Sequence, residues 1–331
     1  MSITRLTISA LLLPALAACS GPGTSVGLDG SGSGGDGDDY TAVSGLRGTE
    51  AEDVSADGAI VRLHAASTDP AADYFLSEDS VTVRDNGDTL TIEGMPFDGD
   101  DSYVRLTSGS NTGTAGQNGK FFLYENAEST QTDPVGGSTI DQFYYIALHQ
   151  SKNVGDDRVY VTIVGGDQSS DSIPLEGFVY GRTGGVVMAT ANQGKWTGDY
   201  AAVRTFHDTD MLDYVSGFME LEIDFEELNS AGAIRYVISD RQVFDINGDP
   251  IGSLDPIGVF AENGALDAQG EFQADANDIE ITGTVTGNAT IQGMLAGDDA
   301  EVAVGTVVME YDEATNGSVV ETGGFILDRN P

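Results

Sequence analysis

The sequence predicts an all-β protein, with an antiparallel β-barrel of about eight strands at the C-terminus preceded by a β-rich subdomain. Apolar and polar side chains alternate from Ile279 to Gln292, which is the period of a β-strand. Asn86-Gly87 separates two short alternating runs, as a tight hairpin turn does. No stretch shows helical periodicity of useful length, so strands are expected throughout.

The C-terminal stretch carries the barrel prediction. Its alternation keeps one parity across Thr286-Gly287-Asn288. A two-residue hairpin loop is therefore excluded there, and either a three-residue loop or one long bent strand remains. The stretch is also rich in glycine, and glycines in strands mark the bulges and tight bends of strongly curved sheets. The glycines in question are Gly283, Gly287, Gly293, Gly297 and Gly305.

The hairpin around Asn86-Gly87 anchors the N-terminal half. A two-residue loop there pairs Val83 with Leu90 and Val81 with Ile92 on one face. Further strands are predicted at residues 120–124, 142–149 and 159–164, with a loop at residues 153–157. We therefore assign residues 40–190 to a β-rich N-terminal subdomain and residues 191–331 to the barrel.

The charge of the chain limits its partners. Its 331 residues include 54 acidic and 14 basic side chains, which gives a net charge of -40. Such a field repels nucleic acid and anionic lipid headgroups, so neither is an expected partner of the folded surface. The ordinary explanation is a heavily hydrated soluble surface, and the alternatives are a basic protein partner or a cation. A hydrophobic fraction of 40% is adequate for a buried core.

The first residues resemble a bacterial lipoprotein signal. Residues 1–18 contain Arg5 and then an apolar run that is too short to span a membrane. Leu16-Ala17-Ala18-Cys19 resembles the lipobox, which implies cleavage before Cys19, diacylation of its thiol and acylation of the new N-terminus. At about 0.8 kcal/mol for each buried CH₂, these chains anchor a protein to a membrane. Ser20, in place of an aspartate, is compatible with the outer membrane and the cell surface.

Residues 19–39 are expected to form a flexible tether, because this Gly/Ser/Asp-rich segment cannot bury a core. Residues 34–39 resemble one nonapeptide unit of a calcium-binding β-roll. One copy lacks the stacked neighbours that such a site needs, so calcium is not expected.

Five segments resemble, in order, the C-terminal barrel of lipoproteins of the transferrin-binding protein B class. The resemblance covers about 150 residues. The segments are Phe178–Thr183, Gly194–Tyr200, the alternating strand Gly217–Phe225, Gly293–Gly305 and Gly323–Arg329.

The chain departs from that family in three respects. Leu295 and Ala296 stand where the family has aromatic residues. The mature chain has about half the length of a two-lobed transferrin receptor lipoprotein, so it resembles the single-barrel relatives. No motif matches the loops that hold transferrin in the family. The resemblance therefore implies the barrel and the surface anchor, and it does not identify a ligand.

The resemblance implies a cell-surface binding module for a protein or an iron- or haem-bearing ligand, with an outer-membrane transporter as a further partner. The alternative is a structural or interaction lipoprotein of the envelope that has no uptake role. Side chains fill a barrel of this size, so we expect binding at loops on its rim or at the junction between the subdomains. A hydrophobic patch of roughly several hundred Å² on exposed loops would favour the binding module over the structural alternative.

The histidines do not predict a metal site. His64, His149 and His207 are far apart in sequence and lack the spacing of zinc ligands, so structural roles are expected. The surroundings of His207 suit a ligand best, because Asp208 and Asp210 follow it.

A second motif is also explained without a metal. Asp245–Asp249 copies the start of an EF-hand loop, but Pro250 occupies the glycine position and no distal glutamate closes the loop. Asn247-Gly248 is better explained as a two-residue hairpin turn with Phe244 facing Ile251.

No catalytic residue and no cofactor are predicted. The sequence contains no Gly-x-Ser-x-Gly elbow, phosphate loop or dinucleotide-binding glycine pattern, and no acid/base pair stands out among its many carboxylates. We therefore do not expect an enzyme. Most aromatic residues are expected in the core, with a few as anchors for a partner. The candidates are Tyr144, Tyr145, Tyr160, Tyr180, Trp196, Phe206 and Tyr214.

Overall fold

In the computed structural model, residues Asp39–Pro331 form one compact unit. The structure describes residues 41–42, 57–63, 74–77, 82–85, 89–93, 103–106, 121–126, 130–132, 137, 139–141, 144–166, 175–182, 184–188, 193–206, 212–228, 230–261, 263–276, 279–281, 284–285, 287–313 and 317–330. No α-helix occurs among these residues, and hence none that could cross a membrane.

The first half of the chain forms a ten-stranded antiparallel sheet with the order β1-β4-β5-β6-β7-β10-β11-β12-β2-β3. Two further strands, β8 and β9, pair only with each other. The twelve strands are β1 (Thr41–Ala42), β2 (Asp57–Leu63), β3 (Tyr74–Ser77), β4 (Thr82–Asp85), β5 (Thr89–Glu93), β6 (Tyr103–Arg105), β7 (Phe122–Asn126), β8 (Thr130–Thr132), β9 (Thr139–Asp141), β10 (Tyr145–Val154), β11 (Asp157–Gly166) and β12 (Leu175–Arg182).

The predicted hairpin between β4 and β5 is present, but its predicted register is wrong. Val83 pairs with Ile92 rather than with Leu90, and Asp85 pairs with Leu90. The register is shifted by two residues, so four residues rather than two separate the last pair. A shift of two leaves every side chain on its original face, so the alternation cannot distinguish the two registers. Leu90 and Ile92 are buried, as the predicted face requires.

The second half of the chain forms a twelve-stranded antiparallel sheet. A short 3₁₀ helix at Asp298–Ala300 lies between two of its strands. The strands are β13 (Gln193–Phe206), β14 (Leu212–Asp224), β15 (Ile234–Phe244), β16 (Pro250–Ser253), β17 (Ile257–Phe260), β18 (Asn263–Leu266), β19 (Glu271–Ala276), β20 (Ile279–Ile281), β21 (Thr284–Val285), β22 (Asn288–Ala296), β23 (Val302–Glu313) and β24 (Gly317–Arg329).

The register shows that this sheet closes on itself. β17 and β18 act as one interrupted strand, and β19 and β20 act as its interrupted partner, because their pairs share one register: Ile257 with Ile281, Val259 with Ile279, Asn263 with Asp275 and Leu266 with Phe272. β15 pairs with the first of these composite strands, and β22 pairs with the second. With β13, β14, β23 and β24 the ring has eight members, which confirms the predicted barrel of about eight strands.

The stretch from residue 279 to residue 292 has the predicted parity but not the predicted path. Ile279 and Ile291 are buried, and Glu280 is exposed. The chain turns between Ile281 and Thr284, in the β20–β21 hairpin, which was not predicted. β21 and β22 then run on in one direction as one interrupted strand, because Glu280 with Val285 and Glu271 with Met294 share one register. Of the two predicted alternatives across residues 286–288, the structure thus has the continuing strand. Gly287, at φ 91°, lies at the interruption between β21 and β22, where its backbone conformation would strain a residue with a Cβ.

The first sheet packs against one side of the barrel. Strands β11 and β12 lie against β13, β22, β23 and β24, and side chains of both sheets share one buried cluster. From the first sheet it includes Ile146, Val161 and Phe178, and from the barrel Val203, Val304 and Ile326. The outer face of β14, β15 and β17 contributes no residue to this cluster apart from the ends of β14 and β15. The all-β class and its arrangement are thus as predicted.

Candidate functional site

Three exposed apolar side chains lie on the outer face of the barrel. Phe218 of β14 is 40% exposed, Val237 of β15 is 42% exposed and Phe260 of β17 is 54% exposed. We call these three residues the outer stripe. Their strands are neighbours in the barrel. The outer stripe is therefore a feature of one continuous sheet face.

The register places the three side chains along a diagonal. Val237 pairs with Glu220, two residues beyond Phe218, and Phe260 pairs with Arg235, two residues before Val237. Diagonal neighbours of this kind have side chains within reach of each other, at about 7 to 8 Å. The position opposite Val237 is Gly258, which has no side chain to cover it.

Charged residues surround the outer stripe. Glu220 and Glu222 follow Phe218 on the same face of β14, and Glu280 is exposed on β20, opposite Gly258. Lys195 forms an ion pair with Glu220 at 2.5 Å, and Arg235 forms one with Glu222. These two ion pairs neutralise both of their members, so Glu280 gives this set of five charged residues its net charge of one negative unit.

A buried ionic cluster lies inside the barrel. The Glu321 carboxylate is fully buried and accepts hydrogen bonds from Tyr200 at 2.9 Å, from Tyr311 at 2.6 Å and from Arg241. Arg204 is also buried, and it pairs with Glu313 and lies 3.5 Å from Asp213. The side chains come from five neighbouring barrel strands, β13, β14, β15, β23 and β24.

A β-bulge brings Arg241 into this cluster. In β15 the inward residues before the bulge are Tyr236 and Ile238, and after it they are Arg241 and Val243. The register shifts opposite Ser216 and Phe218, where Asp240 adopts φ 52°. Because one extra residue reverses the parity of a strand, the bulge turns the guanidinium inward.

Gly323 makes room for the hydrogen bond between Tyr200 and Glu321. A Cβ atom at residue 323 would lie 2.2 Å from the Tyr200 hydroxyl oxygen. Any larger residue would therefore displace the tyrosine ring from the carboxylate.

Burial controls the protonation of the cluster. The pKa of Asp213 is raised to about 7, with desolvation as the largest cause. Arg204 and Arg241 oppose this rise, and Glu321 and Glu313 add to it. Desolvation acts in the same direction on Glu321, but the pKa of that carboxyl is lowered, because Arg241, Arg204 and the two tyrosine hydroxyls outweigh it. Glu321 is therefore ionised at neutral pH, and Asp213 titrates there.

Two clefts lie at the opposite end of the barrel. One, of about 600 Å³, lies on the rim where β13 begins and β14 ends, and Lys195, Glu222 and Arg235 line it. The other, of about 540 Å³, lies between the β10–β11 turn and the 3₁₀ helix, where the two sheets meet. Arg329 borders both and forms an ion pair with Asp299 at 2.7 Å. Rim and junction are the expected places for binding. Three basic and three acidic side chains line the rim cleft, and two basic and four acidic ones line the junction cleft.

Only some of the residues that the sequence analysis singles out lie in the part of the chain that the structure describes. Cys19, the tether, His64 and His207 lie outside it. His149 is buried, and its Nδ1 lies 2.8 Å from Thr162 Oγ1 across the β10–β11 pair, which is a structural role. Among the described residues, no three His, Cys, Asp or Glu side chains are close enough to hold a metal ion.

The EF-hand-like segment forms a turn, but not the predicted two-residue turn. Phe244 pairs with Pro250 rather than with Ile251, so five residues lie between the paired positions. The reason is the Asp245 carboxylate, whose Oδ1 accepts hydrogen bonds of 2.9 Å from the backbone N–H groups of Asn247 and Asp249. A side chain that caps its own loop in this way favours the longer turn.

The predicted aromatic candidates are mostly core residues, as expected. Tyr144 is half-buried and donates a 3.1 Å hydrogen bond to Glu125. The others are buried: Tyr145, Tyr160, Tyr180, Trp196, Phe206 and Tyr214.

Parity in the sequence could have identified the outer stripe. Phe218 occupies the same face of its strand as Glu220 and Glu222, whereas Met219, Leu221 and Ile223 occupy the buried one. An apolar residue at a position of polar parity is thus a readable signal for an exposed contact.

No model of a known protein family matches the chain, and no curated protein matches it. Among solved structures, the chain is similar to a mutant of the vaccine antigen transferrin binding protein B from Haemophilus parasuis Hp5, at 12% identity and a TM-score of 0.35, over 82% of this chain and 45% of that one. It is also similar to intact Ap-TbpB with its N and C lobes, at 11% identity and a TM-score of 0.33, over 86% of this chain and 48% of that one. The chain thus spans about half the length of the solved chains that it matches.

Proposed function

We propose that this chain is a lipid-anchored binding module, displayed on the outside of a bacterial outer membrane, that captures a protein ligand. Cys19 would carry the acyl chains and residues 20–39 would act as the tether. The compact unit Asp39–Pro331 would present the binding surface.

The outer stripe is the observation that carries this proposal. In a chain with a net charge of -40, Phe218, Val237 and Phe260 expose apolar surface on one sheet face, outside the cluster that joins the two sheets. Exposed apolar side chains that lie together and are rimmed by polar residues are typical of protein interaction sites. This patch lies on strands, whereas the sequence led us to expect binding at loops.

The filled interior of the barrel favours a protein ligand over a small one. Large side chains with at most 2% exposure occupy it, among them Trp196, Tyr236, Met309 and Phe325. Free haem would need a preformed cavity lined by apolar groups. We therefore propose that an iron- or haem-bearing ligand would be bound as a protein, through its own surface, and passed to an outer-membrane transporter.

Protease treatment of intact cells tests the display. The proposal predicts that protease added to intact cells removes the chain from an immunoblot while a periplasmic marker protein stays intact. If the chain is cut only after the outer membrane is broken, it faces the periplasm. That result would replace the proposal with the alternative of a structural or interaction lipoprotein that has no uptake role.

A further inference from the structure

We infer that the partner of the outer stripe is a protein surface with an apolar centre and a rim of lysine or arginine side chains. This inference rests on the proposed function and specifies the chemistry of its ligand. Two properties of the face carry it: the diagonal of exposed apolar side chains, and the carboxylates beside that diagonal.

The apolar part of the partner follows from the outer stripe. The register places Phe218, Val237 and Phe260 on three adjacent strands, so they form a diagonal about 15 Å long at 7 to 8 Å for each step. Gly258 and Ser239, which flank Val237 on the same face, are small. A ligand can therefore reach the edges of all three apolar side chains at once, and burial of exposed aromatic residues supplies most of the binding energy in interfaces of this kind.

The cationic part follows from the surroundings of the outer stripe. Glu220 and Glu222 continue the face on β14, and Glu280 lies across Gly258 on β20. Lys195 and Arg235 pair with Glu220 and Glu222 and balance their charge, so the excess negative charge beside the outer stripe comes from Glu280. The net charge of the whole chain is also -40. Complementary charge accelerates the association of a cationic partner and opposes that of an anionic one.

The same charge argues against two other occupants. A second copy of this chain would bring the same carboxylates and a second charge of -40 to the interface, so self-association through the outer stripe is opposed. An anionic lipid surface is opposed for the same reason. A cationic protein surface is the remaining occupant that both properties of the face favour.

Defined peptides can test this chemistry with the purified full chain in detergent. The probes are three fluorescent peptides of equal length and helical design, built from Lys and Leu, from Lys and Ser, or from Glu and Leu. The first protein variant replaces the outer stripe (F218S, V237S and F260S). The control variant replaces three exposed apolar residues elsewhere (V104S, V187S and I251S), whose side chains are 55%, 60% and 57% exposed.

The inference predicts that the Lys/Leu peptide binds the parent chain and the control variant equally, and that it binds the outer-stripe variant at least tenfold more weakly. The Lys/Ser peptide should bind all three proteins weakly, and the Glu/Leu peptide should bind none of them. A second variant, E220K with E280K, keeps the outer stripe and should also weaken binding of the Lys/Leu peptide several-fold.

Equal binding of the Lys/Leu peptide to the parent chain and the outer-stripe variant would overturn the inference. Binding of the Glu/Leu peptide to the parent chain as tightly as the Lys/Leu peptide would also overturn it. So would a sedimentation shift showing that the outer stripe joins two copies of the chain. Thermal unfolding shows whether each protein is folded. The control variant shows whether the loss of any three exposed apolar side chains weakens binding. These results are independent of where the chain lies in the cell, so they can fail while surface display holds, and display can fail while they hold.

Discussion

The Tyr200 hydroxyl donates a 2.9 Å hydrogen bond to Oε1 of Glu321, a carboxylate that solvent does not reach. The two residues lie 121 positions apart in the sequence, on strands that meet only when the barrel closes. Tyr311 and Arg241 satisfy the other oxygen. The cluster thus joins three parts of the ring through one charged group, and its members depend on each other.

Removal of both Arg241 and Glu321 from this cluster should cost less than the sum of the two single removals. Arg241→Met leaves the Glu321 carboxylate with less compensation, and breaking a buried pair in this way costs about 3 to 5 kcal/mol. The double variant Arg241→Met with Glu321→Met should be more stable than the sum of the single losses predicts. Urea unfolding of all four proteins gives the coupling free energy. Additive losses would show that the two residues do not interact.

The close approach of Gly323 to Tyr200 gives a second prediction. Gly323→Ala should destabilise the chain by about 1 to 3 kcal/mol, because the added methyl group displaces the tyrosine from Glu321. Tyr200→Phe removes the hydroxyl and restores some of the space, so the methyl group should cost less in the Tyr200→Phe background. An equal cost of Gly323→Ala in both backgrounds, measured by thermal unfolding, would contradict the packing argument.

The cluster also predicts how stability varies with pH. The pKa of Asp213 in the folded state, about 7, is raised above its ordinary value, so the folded chain binds more protons than the unfolded chain between about pH 4 and pH 7. Stability from this group is therefore present below pH 4 and is lost as the pH rises through 7. The pKa of Glu321 is lowered, so its contribution is present above its ordinary pKa and is lost in stronger acid.

Together these two groups favour maximum stability in mildly acidic solution. Asp213→Asn, which resembles the protonated carboxyl, should reduce the loss of unfolding free energy between pH 5 and pH 8, a loss of roughly 1.4 kcal/mol for each unit of pKa shift. Asp312→Asn, at an exposed position, is the control and should keep the slope of the parent chain. Parallel curves for the parent chain and Asp213→Asn would remove Asp213 as the cause.

The periodicity of the sequence predicts faces better than partners. Alternation correctly predicts that Leu90, Ile92 and Ile279 are buried, because a strand has a period of two whatever it pairs with. It cannot determine the β4–β5 register, because a shift of two residues preserves the faces.

The buried ionic cluster cannot be predicted from the sequence, for a related reason. Glu321 stands in a strand as an ordinary polar residue, and its burial depends on strands β13, β15 and β23 as well as on the bulge at Asp240. Local patterning carries no information on contacts so far apart in sequence. The outer stripe was predictable, because Phe218 and Val237 break the parity of their own strands.

The proposed lipid anchor requires Cys19. Cys19→Ala should move the chain from the membrane fraction to the soluble fraction without changing its thermal unfolding, because the acyl chains supply the attachment. Leu16→Ala keeps the cysteine and tests whether the lipobox match, rather than the thiol itself, directs the modification. If Cys19→Ala remains in the membrane fraction after a high-salt wash, the lipoprotein proposal is wrong.

Labelling of Val237→Cys on intact cells tests the central proposal most directly. The sequence has one cysteine, which the proposal acylates, so the new thiol on the outer stripe would be the only free one. A membrane-impermeant maleimide should label it on intact cells and should not label Ile238→Cys, whose side chain is buried in the barrel. Labelling of Val237→Cys only after lysis would contradict display of this face to an external ligand.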